Sequence, residues 1–394
     1  MAVRPVASIS LMGNWADLGE DLLSLIAKRV ALYDDFLSFG GVCRSWRSVA
    51  VVKNFRGSEQ IPWLMLSEKD NSDERQFVSL RKGGVIRTVN LPEARGKRCL
   101  ETLGWLVTIS EDGEMNLLHP FSRVQIGLPH VTNFKDYEDG RMESNIIFMQ
   151  KAVLSSRPED NADFVLMTIY AGRGWLGFWR PGDKTWTTIE SYSTHPGAFC
   201  DIIFHKGLFY GIAAGGMVFA CDVWGPNPTA AQLVVDVPQK YFMGKRPYIV
   251  ESAGVILVAV RDGSMPVFLE ENSDDFDPSK VTESDVDYET CDFELFELDL
   301  SNEGKWGEKT SLGDSALFLG DNASVSVQAS RYHGIKANCI YYTDDCWESY
   351  TFFKRGGGKD MGIFDLEDGS QMPCYNGESF SPICPPMWVN PSSL

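Results

Sequence analysis

The sequence predicts a mainly β chain, with a small N-terminal unit of three helices followed by a β-propeller-like domain of about six blades. Three observations carry this. Helical periodicity is confined to residues 15–50, period-two alternation and turn signals take over from residue 61, and one strand–turn–strand frame returns along the β half.

In "WADLGEDLLSLIAKRV", Leu18, Leu22, Leu25 and Ile26 fall at i, i+4, i+7 and i+8, and Leu23 and Val30 widen that stripe. Asp17 is placed as the N-cap, with Glu20 completing a capping box and Asp21 adding negative charge to the first turn. Lys28 and Arg29 stand near the C-terminal end, where cations are favoured. "YDDFLSFGG" gives a second short helix stopped by Gly40-Gly41. A third follows, with Val42, Trp46 and Val49 on one face. Three helices this short bury little surface, and their apolar residues exceed what so small a bundle hides. That excess predicts packing against a partner.

The β half reads as short strands, among them "PWLMLS", "GWLVTI", "FVLMTIYAG", "GVILVAV" and "FELFELDL", divided by turns such as "EDGE", "RPGDKTW" and "LEDGS". "GFWRPGDKTWTTIE" (177–190) resembles "FELDLSNEGKWGEKTSLG" (296–313): a strand, a polar Gly turn, a Trp, another strand. Residues 117–129 and 218–238 share the frame without the Trp, and 362–373 reads as a last copy. Repetition of this kind favours a propeller, and the stretch from 61 onward is long for one β-sandwich.

Composition narrows the function. Formal net charge is -18 across 394 residues, a field that repels phosphate backbones and anionic lipid, so neither nucleic acid nor membrane is an expected partner. Residues 270–299 hold 13 Asp or Glu against Lys280 alone. They read as a solvated acidic insertion, with a docking patch for a basic partner as the sharper alternative. The nine Cys show no CxxC pair, which argues for free thiols in a reducing cytoplasm or nucleus rather than a disulfide framework or zinc site. No apolar run is long enough to span a bilayer.

Motifs with chemical meaning are weak. "GRGWLG" (172–177) matches GxGxxG, but strand-like flanks on both sides make it a hairpin rather than a dinucleotide loop. "RGGGKD" (355–360) lacks the ending of a phosphate loop and is expected to be a flexible connection. The five His do not pair, and Asp344-Asp345 lies in a turn-like stretch. The sequence therefore gives no candidate catalytic, cofactor-binding or metal-ligating residue.

The helical stretch resembles the F-box, whose pattern is Leu-Pro-x-Asp/Glu-Leu-Leu, an Ile three residues on, then Val-Cys-x-x-Trp. Leu18, Asp21, Leu22, Leu23, Ile26, Val42, Cys43 and Trp46 supply it, and Gly19 replaces the usual Pro. The β half, in "GWLVTISEDGEMNLLHPFSRVQIGLP", "FHKGLFYGIAAGGMVFACDV" and "SLGDSALFLGDNASVSVQASRYHGIKANCIYYTDD", resembles the plant domain of unknown function 295. Together they are similar to F-box proteins of the SKP1-interacting-partner and kink-suppressor type. The resemblance implies an F-box at 12–52, a substrate-binding β domain at 61–373 with an acidic insertion near 270–290, and a C-terminal tail at 374–394. It also implies a non-catalytic adaptor of an SCF-type ubiquitin ligase, which docks a Skp1-like protein and through it cullin and RING subunits, and which holds a target protein on the β domain. The Skp1-binding set it implies is Trp15, Leu18, Leu22, Leu23, Ile26, Phe39, Val42, Cys43 and Trp46. An F-box-like scaffold or ligand-binding propeller outside the ligase stays open as the alternative.

Overall fold

The computed structural model describes residues 15–30, 32–51, 54–55, 60–69, 72–81, 84–135, 137, 144–268, 283, 286–300 and 304–391. Most of the acidic insertion, and residues 12–14, 31 and 52 of the helical region, lie outside them. The chain forms two compact units, one running to Gln60 and the other spanning Ile61–Asn390.

In the first unit a short 3-10 turn, Trp15–Asp17, precedes α1 (Glu20–Ala27), α2 (Tyr33–Gly41) and α3 (Arg44–Val49). Gly19, not Asp17, is the N-cap of α1, and no side chain caps it; Glu20 and Asp21 supply first-turn charge instead. Gly40 and Gly41 lie inside the last turn of α2 rather than beyond it. Gly40 is there for space, because a Cβ on it would meet the Ala50 Cβ at 2.9 Å. Leu23, Ala27, Phe36, Phe39 and Val49 form the buried interior, and Phe55 packs on the Tyr33 and Phe36 rings.

The second unit is a six-bladed β-propeller. Blade 2 is a plain four-stranded meander (Arg98–Thr102, Trp105–Ile109, Met115–Leu118, Gln125–Gly127), and blade 3 repeats it from Met149–Leu154 to Thr187–Thr188. Blade 4 (Phe199–His205 to Ala230–Asp236) gains Ser191–Tyr192 as a parallel edge. Blade 5 runs from Arg246–Ser252 to Lys305–Lys309. Its second and third strands are separated by the insertion, whose described flanks Val267–Phe268 and Val286–Asp287 pair with each other. Blade 6 has five strands and departs from the meander: Ser315–Leu319 pairs in parallel with Cys339–Tyr342 and antiparallel with Val325–Gln328. The repeat seen in the sequence is the outer hairpin of a blade. Residues 117–129, 177–190, 218–238, 296–313 and 362–373 overlap the last two strands of blades 2 to 6.

The segment read as a C-terminal tail is not one. Met387–Val389 pairs antiparallel with Trp63–Met65, giving blade 1 the order Met387–Val389, Trp63–Met65, Glu74–Val78, Ile86–Asn90. The ring closes there, since the Trp388 indole meets the Phe318 ring of blade 6 edge-on with centroids 5.1 Å apart. First strands of adjacent blades line the axis, and apolar layers fill the gaps between blades 3 and 4, 4 and 5, and 5 and 6.

Glu101 ties this junction. Its Oε1 accepts the N–H groups of Gly104 and of Asn390, one residue past the closing strand. Burial pushes the Glu101 carboxyl up to about 7 against those donors. A carboxyl raised in the folded state stabilises the fold while protonated, and that contribution fades as pH climbs from its ordinary value through about 7. Glu101→Gln keeps an oxygen for both donors. In urea unfolding at about pH 5 and about pH 8, the wild type is expected to lose on the order of 3 kcal/mol more than this variant across that interval. Equal losses would show that Glu101 does not titrate there.

Candidate partner-binding surfaces

The helical unit spends part of its apolar stripe on itself and leaves the rest outside. Leu23 and Phe39 are 1% and 6% exposed, so they pack the interior and leave the partner-facing set. Leu22 and Leu25, one turn apart on α1, are 53% and 55% exposed, and Trp15 and Val42 are 68% and 59% exposed. Leu18, Ile26, Cys43 and Trp46 are half-buried. Val42 and Cys43 cap the ends of α2 and α3, so Val42 does not share a face with Trp46 and Val49 as periodicity predicted. Trp46 bridges inside and outside: its ring lies 4.5 Å from that of Phe39, and its Nε1–H donates to the Trp15 carbonyl at 3.1 Å. Beside Leu25 a groove runs between α1 and the end of α3, with Glu20, Asp21, Lys28, Ser48 and Val51 on its walls. Leu25 is part of this surface, although the family pattern does not include it.

The propeller axis is filled by charge. Lys151 of blade 3 pairs with Asp201 of blade 4 at 3.0 Å and donates to the Gly320 carbonyl of blade 6 at 2.8 Å. Arg98 of blade 2 pairs with Asp321 at 3.2 Å. In blade 5, Arg261 engages Asp345 at 3.1 Å and Asp360 at 2.8 Å, and its remaining donors go to Thr290, Tyr248 and the Thr343 carbonyl. Arg246 flanks Asp345 from the same blade at 3.4 Å. Burial alone would raise the Asp345 carboxyl, but Arg246 and Arg261 hold it below the usual carboxylate range. Asp344 and Asp345 are each 2% exposed, so they are interior anchors of this network rather than turn residues.

The Gly-rich stretch 355–360 serves the same network. Gly356, Gly357 and Gly358 are buried, not flexible: a Cβ on Gly358 would stand 2.1 Å from the Ser379 carbonyl oxygen. The N–H groups of Gly358 and Lys359 donate to Asp344 Oδ2 at 2.7 and 3.1 Å, so the loop cradles an internal carboxylate in place of a phosphate. Burial still pushes Asp344 up to about 6. The 172–177 motif is a turn between antiparallel strands, with Tyr170 paired to Trp175 and no helix following.

At the other ends of the first strands lies a cavity of about 260 Å3. Thr102, Leu103, Val153, Ile203, Phe204, Glu251 and Ser326 are among its walls. On the propeller, Trp179 is buried against Phe164, and Trp175 and Trp347 are half-buried. Trp224 is 47% exposed and stacked on Phe209, in a turn whose Gly and Pro residues gave no sign of it.

A helical unit with an exposed apolar face is followed on the same chain by a six-bladed ring. The family model "KIB1-4 beta-propeller" matches residues 77–365, and the chain belongs to that family. Its relatives are plant F-box proteins. F-box protein SKIP23 of Arabidopsis thaliana is 25% identical, over 96% of this chain and 96% of its own. F-box protein At2g17036 of the same plant is 26% identical, over 97% of this chain and 96% of its own. The three helices of the N-terminal unit fit a small F-box. The family match stops short of the closing strand at Met387–Val389.

Arg261 holds blade 5 to two separate carboxylates of blade 6. Arg261→Ala leaves the buried Asp360 carboxylate without its cation and Asp345 with Arg246 alone, and is expected to cost about 3–5 kcal/mol in equilibrium urea unfolding. A loss below about 1 kcal/mol would show that the network does not hold these blades.

Proposed function

We propose that the chain is the substrate-recognition subunit of an SCF-type ubiquitin ligase. The F-box would dock a Skp1-like protein, which leads to cullin and RING subunits, and the propeller would hold the target protein. The observation that carries this is the outward stripe of α1, where Leu22 and Leu25 stay more than half exposed on a unit otherwise packed to a closed interior. Isolated apolar residues on a surface are ordinary, but two on one helix turn beside a groove, with Trp15 and Val42 also exposed, form a surface that excludes water best when another helix covers it. Ubiquitin transfer in such an assembly is a matter of effective concentration, so this chain supplies position rather than a reacting group. The relatives of the SKIP23 type support this reading. We place the protein in the cytoplasm or nucleus, where its nine free thiols would stay reduced.

Gly19 favours the second reading, an F-box-like scaffold acting outside the ligase. It replaces the family's Pro and leaves α1 without a capping side chain. One experiment separates the two. Full-length protein mixed with a plant Skp1-like protein is expected to elute as a stoichiometric complex. Leu22→Asp, which places a charge on an exposed position and leaves the interior intact, is expected to weaken it about tenfold or more. No complex from the folded wild type would give the scaffold reading precedence.

A further inference from the structure

The cavity at the ends of the first strands, about 260 Å3, is smaller than the roughly 300–1,000 Å3 of small-molecule sites, so it has room for one side chain rather than a whole ligand. Leu103, Val153, Ile203 and Phe204 give it apolar walls. Among the described residues, Glu251 is the one charge on those walls. Its Oε1 accepts the Gly254 N–H at 2.6 Å, and no described lysine, arginine or histidine forms an ion pair with it. An apolar wall beside an unpaired carboxylate complements a side chain with an apolar stem and a cationic head.

The rim of this cavity is preformed. Blades 2, 4 and 5 close their first hairpin at this end with a two-residue turn, Leu103–Gly104, Lys206–Gly207 and Ala253–Gly254, and both residues of each turn have positive φ. Leu103 stands at φ 52°, a conformation that disfavours leucine, and it is part of the cavity wall. A rim built of such turns has little freedom left to lose when a partner binds. Phe204 carries the apolar wall outward. Its ring lies 4.9 Å from that of Phe209 and 5.7 Å from that of Trp224, which is 47% exposed. The Trp224 turn is itself held: the Trp224 N–H donates to Asp222 Oδ1 at 3.2 Å, and Arg180 Nη2 donates to the Val223 carbonyl.

We propose that this cavity takes one lysine or arginine side chain of a basic segment of the target protein, and that an apolar residue beside it rests on Trp224. The proposal rests on the reading of the propeller as the part that holds the target. The stem packs on Leu103 and Phe204, and the cation pairs with Glu251. A fixed, half-exposed tryptophan next to a pocket supplies the second anchor. The net charge of -18 favours the approach of a basic partner and disfavours an acidic one.

The test pans a display library of random linear peptides on the full-length protein and measures the affinity of the enriched peptides by fluorescence anisotropy. The enriched peptides are expected to share a lysine or arginine next to an apolar residue, and glutamine in place of that basic residue is expected to remove binding. Glu251→Gln keeps an oxygen for the Gly254 N–H, so the fold stays intact, and it is expected to weaken these peptides at least about tenfold. Trp224→Ala is expected to do the same. Glu114 is exposed at the far end of the second strand of blade 2, and Glu114→Gln, the control for general charge attraction, is expected to leave binding unchanged. No enrichment, enriched peptides without a common basic residue, or equal losses from Glu251→Gln and Glu114→Gln would overturn the proposal. The assay contains no Skp1-like protein. A chain that selects basic peptides through Glu251 and binds no Skp1-like protein would overturn the ligase reading alone, and the reverse would overturn this proposal alone.

Discussion

A ring of sheets holds only where its last blade meets its first, and here three residues, Met387–Val389, make that meeting. Each inner blade is covered on both faces by its neighbours. Without the closing strand, Trp63–Met65 would present an unpaired edge and the Trp388 side of blade 6 would lie open. Every interblade layer therefore leans on a contact between the two ends of the unit. The junction is reinforced around the strand as well as within it. The Ser379 hydroxyl accepts the Ser67 N–H, and Glu101 takes the Asn390 N–H. These are directional contacts, and they fix the register of a strand too short to fix its own.

The charged axis solves a different problem. Apolar layers between blades are tolerant of sliding, because burial is roughly proportional to area and indifferent to angle. Ion pairs are not. Blade 6 supplies Asp321, Asp345 and Asp360, and blades 2 and 5 answer with Arg98, Arg246 and Arg261. Taking these groups out of water is costly, and the pairs offset that cost only at one blade arrangement. Such a network adds little net stability and much specificity of position. That matters in blade 6, whose parallel strand pair departs from the meander and has no simple hairpin to set its order.

What the sequence disclosed follows from how local each signal is. The outer hairpins of blades 2 to 6 were legible because strand, Gly turn and strand lie within about a dozen residues of one another. The helices were legible for the same reason. The closing strand was not: three apolar residues between Pro385-Pro386 and Asn390-Pro391 carry no period, and their partner lies at the far end of the unit. Asp344-Asp345 and the 355–360 loop misled for a related reason. Their polar, Gly-rich character is that of a surface turn, and only the cations of blade 5 and the Asp344 carboxylate, far off in sequence, explain their burial. In the F-box, periodicity marked the apolar stripe but could not say which members stay outside. That division depends on where α2 and α3 cross it, and it sends Leu23 inward and Leu22 outward.

The adjacent pair Leu22 and Leu23 shows what the small helical unit can and cannot do. Three helices of eight, nine and six residues bury a handful of side chains, and an isolated bundle of that size is marginal. Replacing Leu22 and Leu25 with polar residues would cost the closed interior nothing, since neither contributes to it. Leucine at these two exposed positions is thus not explained by the folding of the unit. The same logic separates Trp46 from them: its ring serves the interior through Phe39 and its indole N–H holds the exposed Trp15 segment in place. Trp46 is the residue through which the packing of the motif sets the shape of the surface it offers.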